Sequence, residues 1–284
     1  MAVLLGLLVA ATYGSADFFG GLSSKKASAS AVVVLSQAMG LPMLAVLVVL
    51  AGGHPTPRVL LLGTAAGAVG GIGLLCLYRG LSIGRMSVVA PITAVGAAVV
   101  PVAWGLVQRE RPGPVASVGV VLAIVAVGLI SRTGDEVVDG SHDGLVSARS
   151  YLALAVVAGV AFGAVFVLLA ETGDDAGFWP LVAGRVASIT LLGVGGLATR
   201  QSFAAGGRSA LAPIAAAGNL DMIANALYLL AARRGLLALV AVLSSLYPAS
   251  TVLLARVALK ERLIPVQLVG LGLAATGVVM IATG

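Results

Sequence analysis

Charge is what this 284-residue chain has least of. Asp, Glu, Lys and Arg make up 10% of it, where a soluble domain carries roughly 25%. Aromatic residues make up 5%, and there are two histidines and one cysteine. Each scarcity excludes something. A lone cysteine, Cys76, inside an apolar run leaves no internal disulfide and reads as a small packing residue. His54 and His142 both fall in expected loops. The acidic stretch around His142, with Asp135, Glu136, Asp139 and Asp143, matches no EF-hand or zinc spacing. No metal and no cofactor is therefore expected. An intramembrane enzyme would need clustered His, Glu or Asp in nucleophile or metal geometry, and no such motif occurs. A non-transporting receptor or scaffold would need a partner-binding loop, for which residues 132–150 are the one candidate. The formal charge of +6 is spread singly and in pairs at the edges of apolar blocks. That pattern suits lipid headgroups and gives no patch for nucleic acid.

What the chain has in abundance is apolar length. It is 60% hydrophobic, with a mean hydropathy of +1.11. A helix needs about 20 mostly apolar residues to cross the hydrocarbon layer. Runs such as VGVVLAIVAVGLI do not alternate as barrel strands must, so the spans are helices. Block lengths and edge residues place them near 2–22, 30–51, 58–81, 86–107, 113–131, 151–170, 177–198, 209–231, 235–257 and 264–283. No Lys or Arg precedes the first block, so it reads as an uncleaved span and not a secretory signal.

Two charged triplets interrupt this pattern and expose a repeat. Arg109, Glu110 and Arg111 recur 151 positions on as Lys260, Glu261 and Arg262; Pro114 and Gly119 recur as Pro265 and Gly270. The Leu-Tyr pair at 77–78 recurs at 227–228, and TYGSA at 12–16 falls on AFGAV at 161–165. The chain divides into a half at 1–131, a polar acidic loop at 132–150 and a second half at 151–284. Five spans per half is an odd number, so the second half enters the membrane from the opposite face. The expected fold is an all-α membrane protein of about ten transmembrane helices in two inverted five-helix repeats, with a site near the midplane where the halves meet.

Each half ends in a helix, a basic–Glu–Arg turn, a proline and a Gly-rich last helix: VAWGLVQRERPGPVASVGVVLAIVAVGLI and LLARVALKERLIPVQLVGLGLAATGVVMI. With YGSADFFGG in the first span, this resembles the EamA-like branch of the drug/metabolite transporter superfamily over essentially the whole chain. The resemblance implies a multi-pass plasma-membrane protein that moves a small organic metabolite or drug, as a secondary exporter, by alternating access. It also implies a cavity lined mainly by spans 3, 4, 8 and 9, with spans 1 and 6 nearby. One departure stands out. Val165 and Phe166 replace the Ala16–Asp17 pair of the first half, so the halves differ chemically.

An ionisable group within a span is costly and faces a cavity or a partner. Four qualify: Asp17, Arg79, Arg185 and Asp221. Asp221 is the deepest, and Asn225 and Tyr228 share its helical face at spacings of four and three. That face suits a polar or cationic group, with Asp221 as the main contact or proton carrier; a packing network between helices is the alternative. Tyr13 lies one turn before Asp17. Arg79 and Arg185 are expected as anion contacts or ion-pair partners, or as side chains that snorkel to the interface. Gln37, Tyr78, Thr93, Ser244, Ser245 and Tyr247 are weaker polar candidates. Gly63, Gly67 and Gly71, and Gly159 with Gly163, make G-x-x-x-G steps that suit close packing inside a monomer or the face of a weak homodimer.

Orientation gives two answers. With the N-terminus inside, the inner loops hold Arg58, Arg109, Arg111, Arg233 and Arg234. The outer side then holds Lys25, Lys26, Arg85, Arg132, Arg149, Arg200, Arg208, Lys260 and Arg262, against the positive-inside tendency. The resemblance implies cytoplasmic termini, and that is the orientation adopted.

Overall fold

The computed structural model describes residues 2–107, 113–130, 142–232, 247–260 and 264–283. Among the described residues there is no strand. The helices are α1 (Ala2–Ser23), α2 (Ala29–Met39), α3 (Leu41–Ala51), α4 (Pro57–Ile83), α5 (Met86–Val107), α6 (Pro114–Ile130), α7 (His142–Ala170), α8 (Trp179–Ala198), α9 (Arg208–Ala232), α10 (Tyr247–Ala258) and α11 (Pro265–Thr283). Among the described residues five stretches are long and apolar enough to cross a membrane: Ala29–Ala51, Pro57–Ile83, Arg149–Leu169, Trp179–Ala198 and Arg208–Leu230. Arg109, Glu110, Arg111, Glu261 and Arg262 lie outside the described residues, as do Arg233, Arg234, Ser244, Ser245 and the stretch 131–141.

Local signals account for the helix starts. Ser28 caps α2 by accepting from the Ala31 amide at 3.3 Å, and Thr56 caps α4 by accepting from the Val59 amide at 3.3 Å. Pro57 and Pro265 occupy first helical positions, where a missing N–H costs nothing. Two boundaries differ from the sequence expectation. The second span divides at Gly40 into α2 and α3. Pro42 has no amide hydrogen to give the preceding turn, so the ladder breaks there. The polar loop expected to reach residue 150 ends earlier, because α7 begins at His142. Residues 144–150 (GLVSARS) contain no proline, and Leu145, Ala148 and Arg149 are good helix formers that extend the span.

The packing plan positions the interior. α4 lies against both α7 and α8, α5 against α7, α1 against α9 and α10, α2 against α9, and α6 against α11. One core gathers Phe18, Leu77, Tyr78, Leu81, Met86 and Val89; a second gathers Leu44, Ala66, Phe178 and Met222. The outside is as apolar as the inside: Val49, Leu61, Val121, Leu197 and Val257 are all exposed, Val49 by 82%. So much exposed aliphatic surface has no place in water and suits lipid.

Candidate functional site

The site starts from three glycines. Gly63, Gly67 and Gly71 recur every four residues along one face of α4, opposite Pro180, Gly184 and Ser188 of α8. A Cβ on Gly63 would stand 2.6 Å from the Pro180 carbonyl oxygen. Without side chains there, the two backbones come together. Beside this seam the Gln37 amide of α2 donates to Ser188 Oγ at 2.7 Å, and both residues are buried. Arg185, on the same stretch of α8, is 8% exposed.

Arg185 is held there by Asp221. The two form an ion pair between α8 and α9, and Arg185 donates to Asp221 Oδ2. Asn225, one turn further along α9, donates to the same Oδ2 at 3.1 Å and to the Asp221 carbonyl at 2.7 Å. The carboxylate thus has a cation and an amide on it, which a buried charge requires. Another turn on, Tyr228 packs its ring on Phe166 of α7, with centroids 5.3 Å apart. On the face that Asp221, Asn225 and Tyr228 share by spacing, Asn225 bonds to Asp221 and Tyr228 packs on a phenyl ring.

Asp17 approaches from α1. On its face of the helix, Gly14 lies against the Tyr247 carbonyl and Ser250 of α10, and Gly20 lies against the ring of Tyr78 of α4. Thr251 of α10 donates to the Gly14 carbonyl at 3.0 Å. Asp17 therefore sits between two seams, 8% exposed. Tyr13 lies one turn before it on α1. Among the described residues no side chain hydrogen-bonds or ion-pairs with Asp17, and the Tyr247 hydroxyl is buried without a partner.

Six of the seven expected residues thus share one neighbourhood: Tyr13, Asp17, Arg185, Asp221, Asn225 and Tyr228. Arg79 does not. It is exposed, in a surface cleft with Ile83, Ser150, Ala153, Leu154 and Val157 between α4 and α7. Asn219 bonds back to the Ala215 carbonyl within its own helix. Thr93 bonds to the Val89 and Ala155 carbonyls and ties α5 to α7. Tyr78 and Tyr247 are more central than their weak polar signal suggested. Ser188 was missed; the spacing of Pro180, Gly184 and Ser188 against the glycines of α4 was the available clue. No group of three or more His, Cys, Asp or Glu able to hold a metal occurs among the described residues.

The family model of the EamA-like transporter family matches residues 1–132 and 149–283. The chain belongs to this family. The match falls into two segments on either side of the polar stretch between the halves, so both halves of this EamA-like protein carry the family pattern. No curated protein matches the chain. A solved crystal structure matches 99% of this chain and 96% of its own at a TM-score of 0.64, with 14% identity, which speaks for a shared fold alone. The protein is an integral membrane protein of a transporter family.

Proposed function

We propose that this EamA-like protein is a secondary transporter, an exporter in the plasma membrane, that carries a small organic solute by alternating access. The halves are 1–131 and 151–284, inverted with respect to each other, and the site lies where they meet. One observation carries the reading: a cluster of ionisable and polar groups around the Arg185–Asp221 ion pair is assembled inside the bundle from both halves, Tyr13 and Asp17 from the first and Arg185, Asp221, Asn225 and Tyr228 from the second. Buried charge of this kind in a membrane bundle marks a solute or ion path.

The packing supports the repeat. Exchanging each span for its counterpart turns the α1–α9 contact into α7–α4, α1–α10 into α7–α5, and α2–α9 into α8–α4, all of which occur. The pairs α6–α11, α5–α10 and α2–α8 map onto themselves, as pairs astride a pseudo-twofold axis do. Residues follow: Gly14 against Thr251 is matched by Gly163 against Val100, and Gln37 bonds Ser188, 151 positions on. Both G-x-x-x-G faces are occupied within the chain, which favours a monomer.

The test is solute flux in proteoliposomes, with a panel of amines, amino acids, carboxylates and neutral metabolites. The wild type moves at least one class down an imposed gradient. The variant Arg185→Gln/Asp221→Asn, neutral at both positions, loses flux by about tenfold or more while still folding. Full flux by that variant, or none by the wild type across the panel, overturns the reading.

A further inference from the structure

An arginine stands near each end of α4, and the two are treated differently. At the start, Arg58 pairs at 3.2 Å with Glu171, just past the end of α7. Near the other end Arg79 is exposed, and among the described residues no carboxylate pairs with it. α4 contains no Asp or Glu. α7 contains none after Asp143, which lies about 10 Å before Ser150 along the helix. The repeat does not require the cation. Arg58 recurs 150 positions on as Arg208, at the start of α9, whereas the counterpart of Arg79 is Leu229, 7% exposed.

A cleft runs beside Arg79 along the α4–α7 seam. Arg79 and Ile83 line one wall, one turn apart, and Ser150, Ala153, Leu154 and Val157 line the other. Its floor is the line on which the helices touch. A Cβ on Gly84 would stand 2.6 Å from Tyr151 Cγ, and one on Gly80 3.6 Å from Leu154 Cβ. The cleft has a volume of about 680 Å³, where one water takes roughly 30 Å³, so a bare inorganic anion leaves most of it unfilled. It also lies where two spans meet the membrane surface, since that of α4 ends at Ile83 and that of α7 begins at Arg149. Two further arginines frame this end: Arg149 next to Ser150, and Arg85 two residues past Ile83.

We infer that this cleft holds an anionic phospholipid, with its headgroup phosphate on Arg79 and an acyl chain laid over Ala153, Leu154 and Val157. In a bilayer an apolar cleft on the outside of a bundle fills with hydrocarbon, since apolar surface avoids water. The charge at its mouth then decides which lipid stays. A guanidinium one turn inside a span reaches the headgroup layer by extending along the helix with its stem on apolar surface. Its fork matches two phosphate oxygens. Arg58 offers no equivalent, because Glu171 already accepts from its guanidinium. A phosphatidylcholine headgroup carries its own ammonium beside the phosphate. A phosphatidylglycerol headgroup carries none, and its net negative charge suits an end of the bundle with three arginines and no paired acid. In the orientation adopted above, this lipid belongs to the outer leaflet. The inference requires that the chain lie in a membrane, and it does not rest on the transporter reading.

The test is native mass spectrometry of the purified full-length protein in detergent with equal amounts of dioleoyl phosphatidylglycerol and dioleoyl phosphatidylcholine, whose chains are identical. The wild type should retain phosphatidylglycerol about fivefold or more over phosphatidylcholine, the effect of one basic residue at a membrane surface. Arg79→Gln should lose most of that preference, and Arg79→Lys should keep most of it, which separates loss of charge from loss of fold. Ala153→Trp, at an exposed position, fills the cleft from outside and should cost as much preference as Arg79→Gln. Lys25→Gln removes an exposed charge on the same side of the membrane, away from the cleft, and should change nothing. Thermal unfolding is the second readout: phosphatidylglycerol should raise the unfolding temperature of the wild type and of Lys25→Gln, and not that of Arg79→Gln. Equal retention of the two lipids by the wild type overturns the assignment, as does wild-type preference in Arg79→Gln or Ala153→Trp. A loss in Lys25→Gln as large as that in Arg79→Gln would mean diffuse attraction and no site. Displacement of the lipid by millimolar inorganic phosphate would make the cleft an anion site, which also overturns it.

Discussion

Arg185 and Asp221 are each other's reason for being inside. Removing one partner of a buried ion pair leaves an uncompensated charge and costs about 3–5 kcal/mol, whereas removing both charges costs far less. Arg185→Leu should therefore unfold in detergent at a clearly lower temperature than the wild type, and Arg185→Gln/Asp221→Asn should lie nearer the wild type than either single change. Additive losses, with the double variant worse than both singles, would mean that the pair is not the stabilising unit. The sequence made both residues conspicuous, because a charge in a span is rare whatever surrounds it. It did not reveal that Asp221 pairs with Arg185 while Asp17 has no ion-pair partner among the described residues. Pairing depends on which helices touch across the bundle, and spacing along one helix carries no such information. Asp221 looked the better charge carrier because it is deeper, yet it is the carboxylate with a cation and an amide already on it.

Among the elements, the seams are set by where a side chain is missing. Gly67 of α4 faces the backbone of Gly184 of α8 so closely that a Cβ has no room. Gly193 and Gly195 of the same α8 have nothing within 4 Å of an added Cβ. Gly67→Val should force α4 from α8, with a loss of at least about 2 kcal/mol or failure to accumulate as folded protein. Gly195→Ala should be neutral or raise stability by about 0.5–1 kcal/mol, since alanine is the better helix former. Thermal unfolding of the two variants in one detergent checks this, and equal effects would refute the seam. The four-residue glycine spacing was readable in advance, as were nearly all helix positions, because apolar length is a direct consequence of bilayer thickness. The break at Gly40 was not placed. Pro42 announces a missing hydrogen bond, but whether a span kinks there depends on the neighbours, here Gly218 and Met222 of α9 against Gly40.

At the level of the whole molecule, everything turns on the odd number of spans in a half. If each half has five, the turn at Arg109–Arg111 and the turn at Lys260–Arg262 face opposite sides of the membrane, although their sequences are nearly the same. Cysteine labelling decides this cleanly, since Cys76 is the only thiol to remove. In a Cys76→Ala background, Glu110→Cys and Glu261→Cys should respond oppositely to a membrane-impermeant maleimide. One reacts in intact cells and the other only after the membrane is opened. Reaction of both from the same side would break the inverted arrangement, and with it the argument that Asp17 and Asp221 come from oppositely inserted halves. The same measurement settles orientation. Cytoplasmic termini, as the family pattern implies, put residue 261 outside and residue 110 inside. The distribution of basic residues argues the opposite way, with nine on the outer side against five on the inner. Family orientation should prevail here: one of the nine, Arg132, belongs to a long polar stretch that carries Asp135, Glu136 and Asp139, and basic residues count most in short loops near span ends. Labelling of residue 261 from outside, with residue 110 silent, is the expected result.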